Sequence, residues 1–120
     1  MSAQKYDLED RLIEFANRII VTGERLPDTK AAKYLENQLL RSGTSPALNY
    51  GEAQSAESKK DFIHILRIIL KELRETSIWL KILDKKGILP DRSVLSESSE
   101  LIAIFTKSIE TAKTNLELKK

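Results

Sequence analysis

Residues 41–53 read RSGTSPALNYGEA. By composition this is a loop, because Gly43, Pro46 and Gly51 stand among Ser and Thr, the residues that punctuate chains. By register it is a helix. The apolar spacing of the preceding AAKYLENQLL (31–40) carries straight through it. Ala32, Leu35, Leu39, Ser42, Pro46, Asn49 and Ala53 recur three and four apart, and Gly43, Ala47 and Tyr50 continue the neighbouring row from Leu40. A loop has no reason to keep helical spacing. The pattern therefore predicts one helix over about 30–54. Pro46 lacks an N–H and crowds the carbonyl of Ser42, which costs ~3 kcal/mol in a helix interior. A kink near Pro46 is expected, with Gly43 and Ser45 absorbing the bend and the Ser42 hydroxyl partly satisfying the freed backbone.

Periodicity predicts three more helices around this one. The first covers about 7–24, with Leu8, Leu12, Phe15 and Ile19 on one face; Gly23 and the turn RLPDT end it, and Asp28 or Thr29 caps the next. The third covers about 57–86. Its seam is Phe62, Leu66, Ile69, Leu73, Thr76, Leu80 and Leu83, with Ser55 as the expected N-cap, Glu57 in the first turn and Gly87 as the stop. The fourth covers about 91–118, with Leu95, Ser98, Ile102, Phe105, Ile109, Ala112 and Leu116 in register. Asp91 or Ser93 would cap it, and Lys113, Lys119 and Lys120 suit the negative end of its dipole. Length supports the continuous second helix: the third, at ~1.5 Å per residue, is about 45 Å long and needs a neighbour of similar length. The expected fold is all-α, a single domain over 1–120 forming an antiparallel up-down four-helix bundle with helix 2 kinked near Pro46.

The bulk numbers agree with that class. Apolar residues make up 41% and charged residues 32% of 120 residues, with four Gly and three Pro, a balance typical of helical bundles. The absence of Cys excludes a disulfide framework, a thiol nucleophile and thiolate metal sites. A formal charge of +2 is mildly basic, short of compelling nucleic-acid binding. MSAQKYDLEDRLIEF has no apolar signal-peptide core, and the longest apolar run, FIHILRIIL, is broken by His64 and Arg67. A cytoplasmic protein with no membrane partner is expected.

The segment LLRSGTSPALNYGEAQSAESKKDFIHILRIILKELRETSIWL (39–80) resembles the four-helix-bundle family of 23S rRNA-intervening-sequence proteins. The resemblance rests on Arg41, Ser42, Ser45, Asn49 and Glu52 in helix 2, on SKKDFIHIL at the start of helix 3 and on LRETSIWL beyond it. Pro46 departs from it, standing where many relatives carry an apolar residue. The resemblance implies an antiparallel bundle that assembles as a ring-like homopentamer. It also implies kinship with accessory bundle proteins of diversity-generating retroelements, which bind a reverse transcriptase and nucleic acid.

No reaction chemistry is legible. Asp61 and His64 have an acid–x–x–His spacing, but His64 is the only histidine, so a paired-carboxylate metal centre lacks its second half within one subunit. There is no nucleophile elbow and no phosphate-binding glycine loop. No catalytic residue, cofactor or metal is expected. Three candidate features remain. Arg41, Asn49, Glu52 and Glu72 lie on or beside core rows and are expected to form a hydrogen-bonded polar core network, because buried polar groups must find partners. Ile65, Ile68, Trp79 and Ile82 form a second apolar row on helix 3, more than a monomeric bundle needs, and are the candidate subunit interface. Lys60, Arg67, Lys71, Arg74, Lys81 and Lys85, with His64, make a basic stripe broken only at Ile78; it is the candidate surface for RNA or DNA. Asp61, Glu75 and Asp84 are close enough to pair with it, Lys71 with Glu75 at i,i+4. The expected function is a non-enzymatic oligomeric bundle binding nucleic acid or a nucleic-acid-handling partner. The alternative is a structural or protein-binding module with no nucleic-acid affinity.

Overall fold

The computed structural model describes residues 3–118, with side chains described from Leu8 onward. Four helices follow one another: α1 Ala3–Glu24, α2 Lys30–Gln54, α3 Lys59–Lys86 and α4 Ser93–Leu118. They form a bundle of 54 × 30 × 22 Å. Each packs on its chain neighbours, and α1 also meets α4, while α1 and α3 stand on opposite corners with no close backbone approach. Partners across the α1–α4 and α2–α3 seams run in opposite residue order. Arg11 reaches Glu97 and Arg18 reaches Asp91, while Ser42 meets Thr76 and Asn49 meets Glu72.

α2 continues unbroken through the doubtful stretch, with Pro46 inside it and buried. Beyond Pro46 the helix buries Ala53, sets Tyr50 edge-on against Phe105 at 5.9 Å, and hydrogen-bonds Asn49 to α3. Each large apolar group buried contributes about 1.5–3 kcal/mol, which offsets the hydrogen bond that Pro46 omits. Contrary to expectation, the Ser42 hydroxyl does not serve the backbone here. It hydrogen-bonds across the seam to Thr76, and it is Thr44 and Ser45 whose hydroxyls bond back to the carbonyls of Leu40 and Arg41.

The helix ends follow local chemistry. The Thr29 side chain accepts from the N–H of Ala32 and caps α2. Ser55 is not the N-cap of α3: its own N–H bonds back to the Glu52 carbonyl and it closes α2. Ser58, in extended geometry, caps α3 by accepting from the N–H of Asp61. That moves Glu57 into the connection and puts the Asp61 carboxylate at the positive end of the helix instead. Gly87 (φ 83°) ends α3: its N–H bonds to the Asp84 carbonyl and that of Ile88 to Leu83, the pattern of a left-handed C-cap. At the start of α4, Asp91 accepts from both the N–H and the hydroxyl of Ser93, and these two bonds hold its carboxyl below the usual range. Lys119 and Lys120, expected at the far end of α4, lie outside the described residues.

The core is the row set by periodicity: Leu12, Phe15 and Ile19 from α1, Leu39 from α2, Leu66 to Leu83 from α3, Phe105 and Ile109 from α4. Val94 and Leu101 join it more deeply than Leu95 and Ile102, so α4 is turned slightly from its predicted face. Gly43 is a point of close approach. A Cβ there would lie 2.8 Å from both Cγ1 and Cγ2 of Ile19, a fully buried branched side chain that cannot swing away. Around Gly51 a Cβ would meet nothing within 4 Å.

The two glycines of α2 should therefore respond oppositely to the same substitution. Gly51→Ala should stabilise the fold by about 0.8–1 kcal/mol through helix propensity. Gly43→Ala should destabilise it by about 1–3 kcal/mol through overpacking. In an Ile19→Ala background the Gly43→Ala cost should largely vanish. Denaturant unfolding of the wild type, the three single variants and the Ile19→Ala, Gly43→Ala double variant measures both effects, and equal behaviour of the two glycines would contradict the close approach.

Candidate functional site

Two features remain once the core is accounted for: a polar seam between α2 and α3, and a basic face on α3. The seam begins with small residues. Ser42 and Thr76 are fully buried, and their hydroxyls are 2.8 Å apart. The Thr76 oxygen also lies 2.8 Å from the carbonyl of Glu72. With one proton on each hydroxyl, Thr76 gives its own to the carbonyl and receives that of Ser42, so both groups are satisfied. Towards the surface, the Asn49 amide donates to Glu72 at 2.8 Å and the Arg41 guanidinium to Glu75 at 2.7 Å.

Glu72 is the half-buried centre of this seam. Burial pushes its carboxyl above the ordinary value of 4.5, opposed by hydrogen bonds from Asn49 and Ser45 and by the charge of Arg41; nearby Glu75 raises it further. The Ser45 hydroxyl can serve either Glu72 or the Arg41 carbonyl, having one proton to give.

Of the polar residues singled out by sequence, Asn49 and Glu72 touch, while Arg41 pairs with Glu75 and acts on Glu72 through its charge. Glu52 does not take part, because it is exposed on the outer side of α2. Its place is filled by Ser42, Ser45, Thr76 and Glu75. Ser42 and Thr76 both stand on predicted core rows, so a serine and a threonine at core register on facing helices were the available signal.

The six cations proposed for the basic stripe, Lys60, Arg67, Lys71, Arg74, Lys81 and Lys85, are all exposed on α3. The pairing expected between Lys71 and Glu75 does not occur. Glu75 is taken by Arg41 across the seam, and Asp84 is held by two hydrogen bonds from Arg92 at 3.0 and 3.2 Å. Among the described residues, none of the six forms an ion pair. At the start of α3 the stripe borders a groove of about 270 Å³, where Lys60, His64 and Arg67 face Lys113 and Glu117 of α4 over Ile63 and Leu116. At its end lies a shallower depression of about 420 Å³ lined by Ile78, Ile82 and three lysines.

The second apolar row of α3 divides. Ile65 and Trp79 pack against the core from its edge, Ile68 is half-buried, and Ile82 is 41% exposed. Tyr34 of α2 stands edge-on to Trp79 at 6.4 Å, and the indole N–H is buried without a hydrogen-bond partner among the described residues. Part of this row thus widens the α2–α3 packing. No group of three or more His, Asp or Glu gathers into a metal-ligand cluster among the described residues, and no described helix is long and apolar enough to cross a membrane.

Residues 4–110 match the family described as 23S rRNA-intervening sequence protein. The fold is similar to a crystal structure from Bacteroides thetaiotaomicron, described as a protein with unknown function from the S23 ribosomal protein family. Identity is 34% and the TM-score 0.79, over 92% of this chain and 99% of the other. No curated protein matches the chain.

The seam makes a prediction about pH. A carboxyl whose folded value is raised holds its proton more tightly in the folded chain than in the unfolded one. Its contribution is therefore most favourable below pH 4.5 and declines as pH rises through the folded value. Glu72→Gln, which cannot ionise, should gain stability relative to the wild type as pH rises across that window, while Arg41, Ser45 and Asn49 stay in place. Urea midpoints of both chains at a series of pH values test this; a constant difference would mean that burial does not govern Glu72.

Proposed function

The chain belongs to the 23S rRNA-intervening sequence protein family, and from that premise we propose that it works without catalysis, as an oligomeric helical scaffold that holds a nucleic-acid backbone along α3. The observation that carries this reading is the row of exposed cations on α3, beside which two of the nearby carboxylates, Glu75 and Asp84, are already committed to Arg41 and Arg92. An unpaired lysine or arginine keeps its full counterion-release gain when it meets a phosphate, whereas a paired one must first give up its partner. Lys60, Arg67, Lys71 and Arg74 run along the first part of the helix beside the groove that also contains His64 and Lys113. Such a row follows a phosphate backbone and reads no sequence, since no aromatic side chain stands among the cations to stack a base.

The family's description names ribosomal RNA, so RNA is the first ligand to test. Oligomerisation belongs to the same proposal, with a pentamer as the state that the family resemblance implies. Repeating the row around an assembly would multiply the phosphate contacts available to one strand. The competing module without nucleic-acid affinity is favoured by Ile78 and Ile82, which interrupt the row with exposed apolar groups.

Fluorescence anisotropy with a labelled single-stranded RNA across a salt series tests the proposal. Binding should weaken steeply with salt, and Lys60→Gln, Arg67→Gln and Lys71→Gln should each lower the log–log slope by ~0.7. DNA of the same length should bind comparably, because the contacts are to phosphate. No retention at low salt, or binding unchanged in the triple variant, would overturn it.

A further inference from the structure

The net charge of +2 conceals two faces of opposite sign on opposite corners of the bundle. Between Glu9 and Glu24, the exposed residues of α1 are Glu9, Asp10, Ile13, Glu14, Asn17, Ile20, Val21 and Glu24: four acids, three aliphatics and no cation. Of the arginines of this helix, Arg11 is held by Glu97 and Glu100 of α4 and Arg18 by Asp91 in the connection before it. Between Arg67 and Lys86, the exposed residues of α3 are six cations with Ile78 and Ile82, and no acid. Among the described residues, none of these acids or cations is in an ion pair. Ile13 is 52% and Ile78 54% exposed, so each face has an apolar centre within a charged border, the usual anatomy of a protein interface.

Since the backbones of α1 and α3 stay more than 8 Å apart at diagonal corners and these residues face outward, the two faces cannot satisfy each other within one chain. We propose that the outer face of α1 docks on the C-terminal half of α3 of a second copy, Ile13, Ile20 and Val21 meeting Ile78 and Ile82, with the α1 acids against Lys81, Lys85 and Lys86. Sign decides the pairing. A two-fold contact of α3 with itself would oppose cations to cations, and one of α1 with itself would oppose acids to acids. The contact of α1 with α3 is the one in which every border charge meets its opposite. Length agrees: at ~1.5 Å per residue the α1 face from Glu9 to Glu24 is about 22 Å long, and α3 from Arg74 to Lys86 about 18 Å. A contact between different faces is heterologous, so each copy uses both and the assembly closes as a ring or grows as a filament. The inference deepens the oligomeric part of the proposed function. It divides the basic helix into a covered end and a free beginning, leaving Lys60, Arg67 and Lys71 for phosphate.

Charge exchange tests it, by light scattering behind size exclusion at ~100 μM chain. The wild type should run as a multiple of 13.7 kDa. Glu14→Lys with Glu24→Lys, or Lys81→Glu with Lys85→Glu, should each raise the dissociation constant at least ~10-fold, while all four substitutions in one chain should restore assembly. Every substituted position is exposed, and circular dichroism melts confirm folding. A wild type that stays a monomer would overturn both this inference and the oligomeric reading. An assembly indifferent to either exchange, or a fourfold variant that stays dissociated, would overturn the docking alone. RNA retention, read separately, reports on the phosphate row whichever way assembly falls.

Discussion

Between Ile19 and the backbone of Gly43 there is no space for a methyl group, and this close approach sets how α2 lies in the bundle. With Gly43 against α1, the adjoining Ser42 faces Thr76 of α3, and one turn later Pro46 points inward. The proline sits on the packed side, where its ring adds buried surface, and the residues beyond it still reach α3 and α4. A residue that usually breaks helices is retained because the packing on both sides of it outweighs one missing backbone hydrogen bond.

The α2–α3 seam has a second function in the fold. Aliphatic rows can slide past one another by a turn at modest cost, whereas a buried hydroxyl pair has one register in which both groups are satisfied. Ser42 with Thr76, flanked by Arg41 with Glu75 and continued by Asn49 with Glu72, ties α2 to α3 at two heights. The desolvated carboxyl of Glu72 is the cost of that arrangement.

Charge is sorted by the same packing. Arg11, Arg18, Arg41 and Arg92 take their carboxylates from other helices or from a connecting segment, where a planar fork can grip two oxygens at once. Those pairs remove Glu75 and Asp84 from the surface inventory and leave the α3 cations uncompensated. On α1 the arginines turn to α4 and to the connection before it, and leave the acids. A nearly neutral chain thereby acquires a basic flank and an acidic one, and both proposed contacts, with phosphate and with another copy, draw on that separation.

Periodicity alone was enough for the helices, the continuity of α2 across Pro46 and most of the core, because the faces of a helix repeat every 3.6 residues whatever surrounds it. The exposure of Lys60, Arg67, Lys71, Arg74, Lys81 and Lys85 was legible for the same reason. Local sequence could not choose between Ser55 and Ser58 as a cap, since either hydroxyl can accept the orphan N–H groups and only the way the chain enters α3 decides. Nor could it place Glu52, which shares the spacing of the polar row yet faces outward, or deny Lys71 its expected partner Glu75. Which carboxylate an arginine takes, and which of two glycines in one helix is indispensable, depend on side chains far away in the chain and a few ångströms away in space. Those distances come into being only when the helices pack.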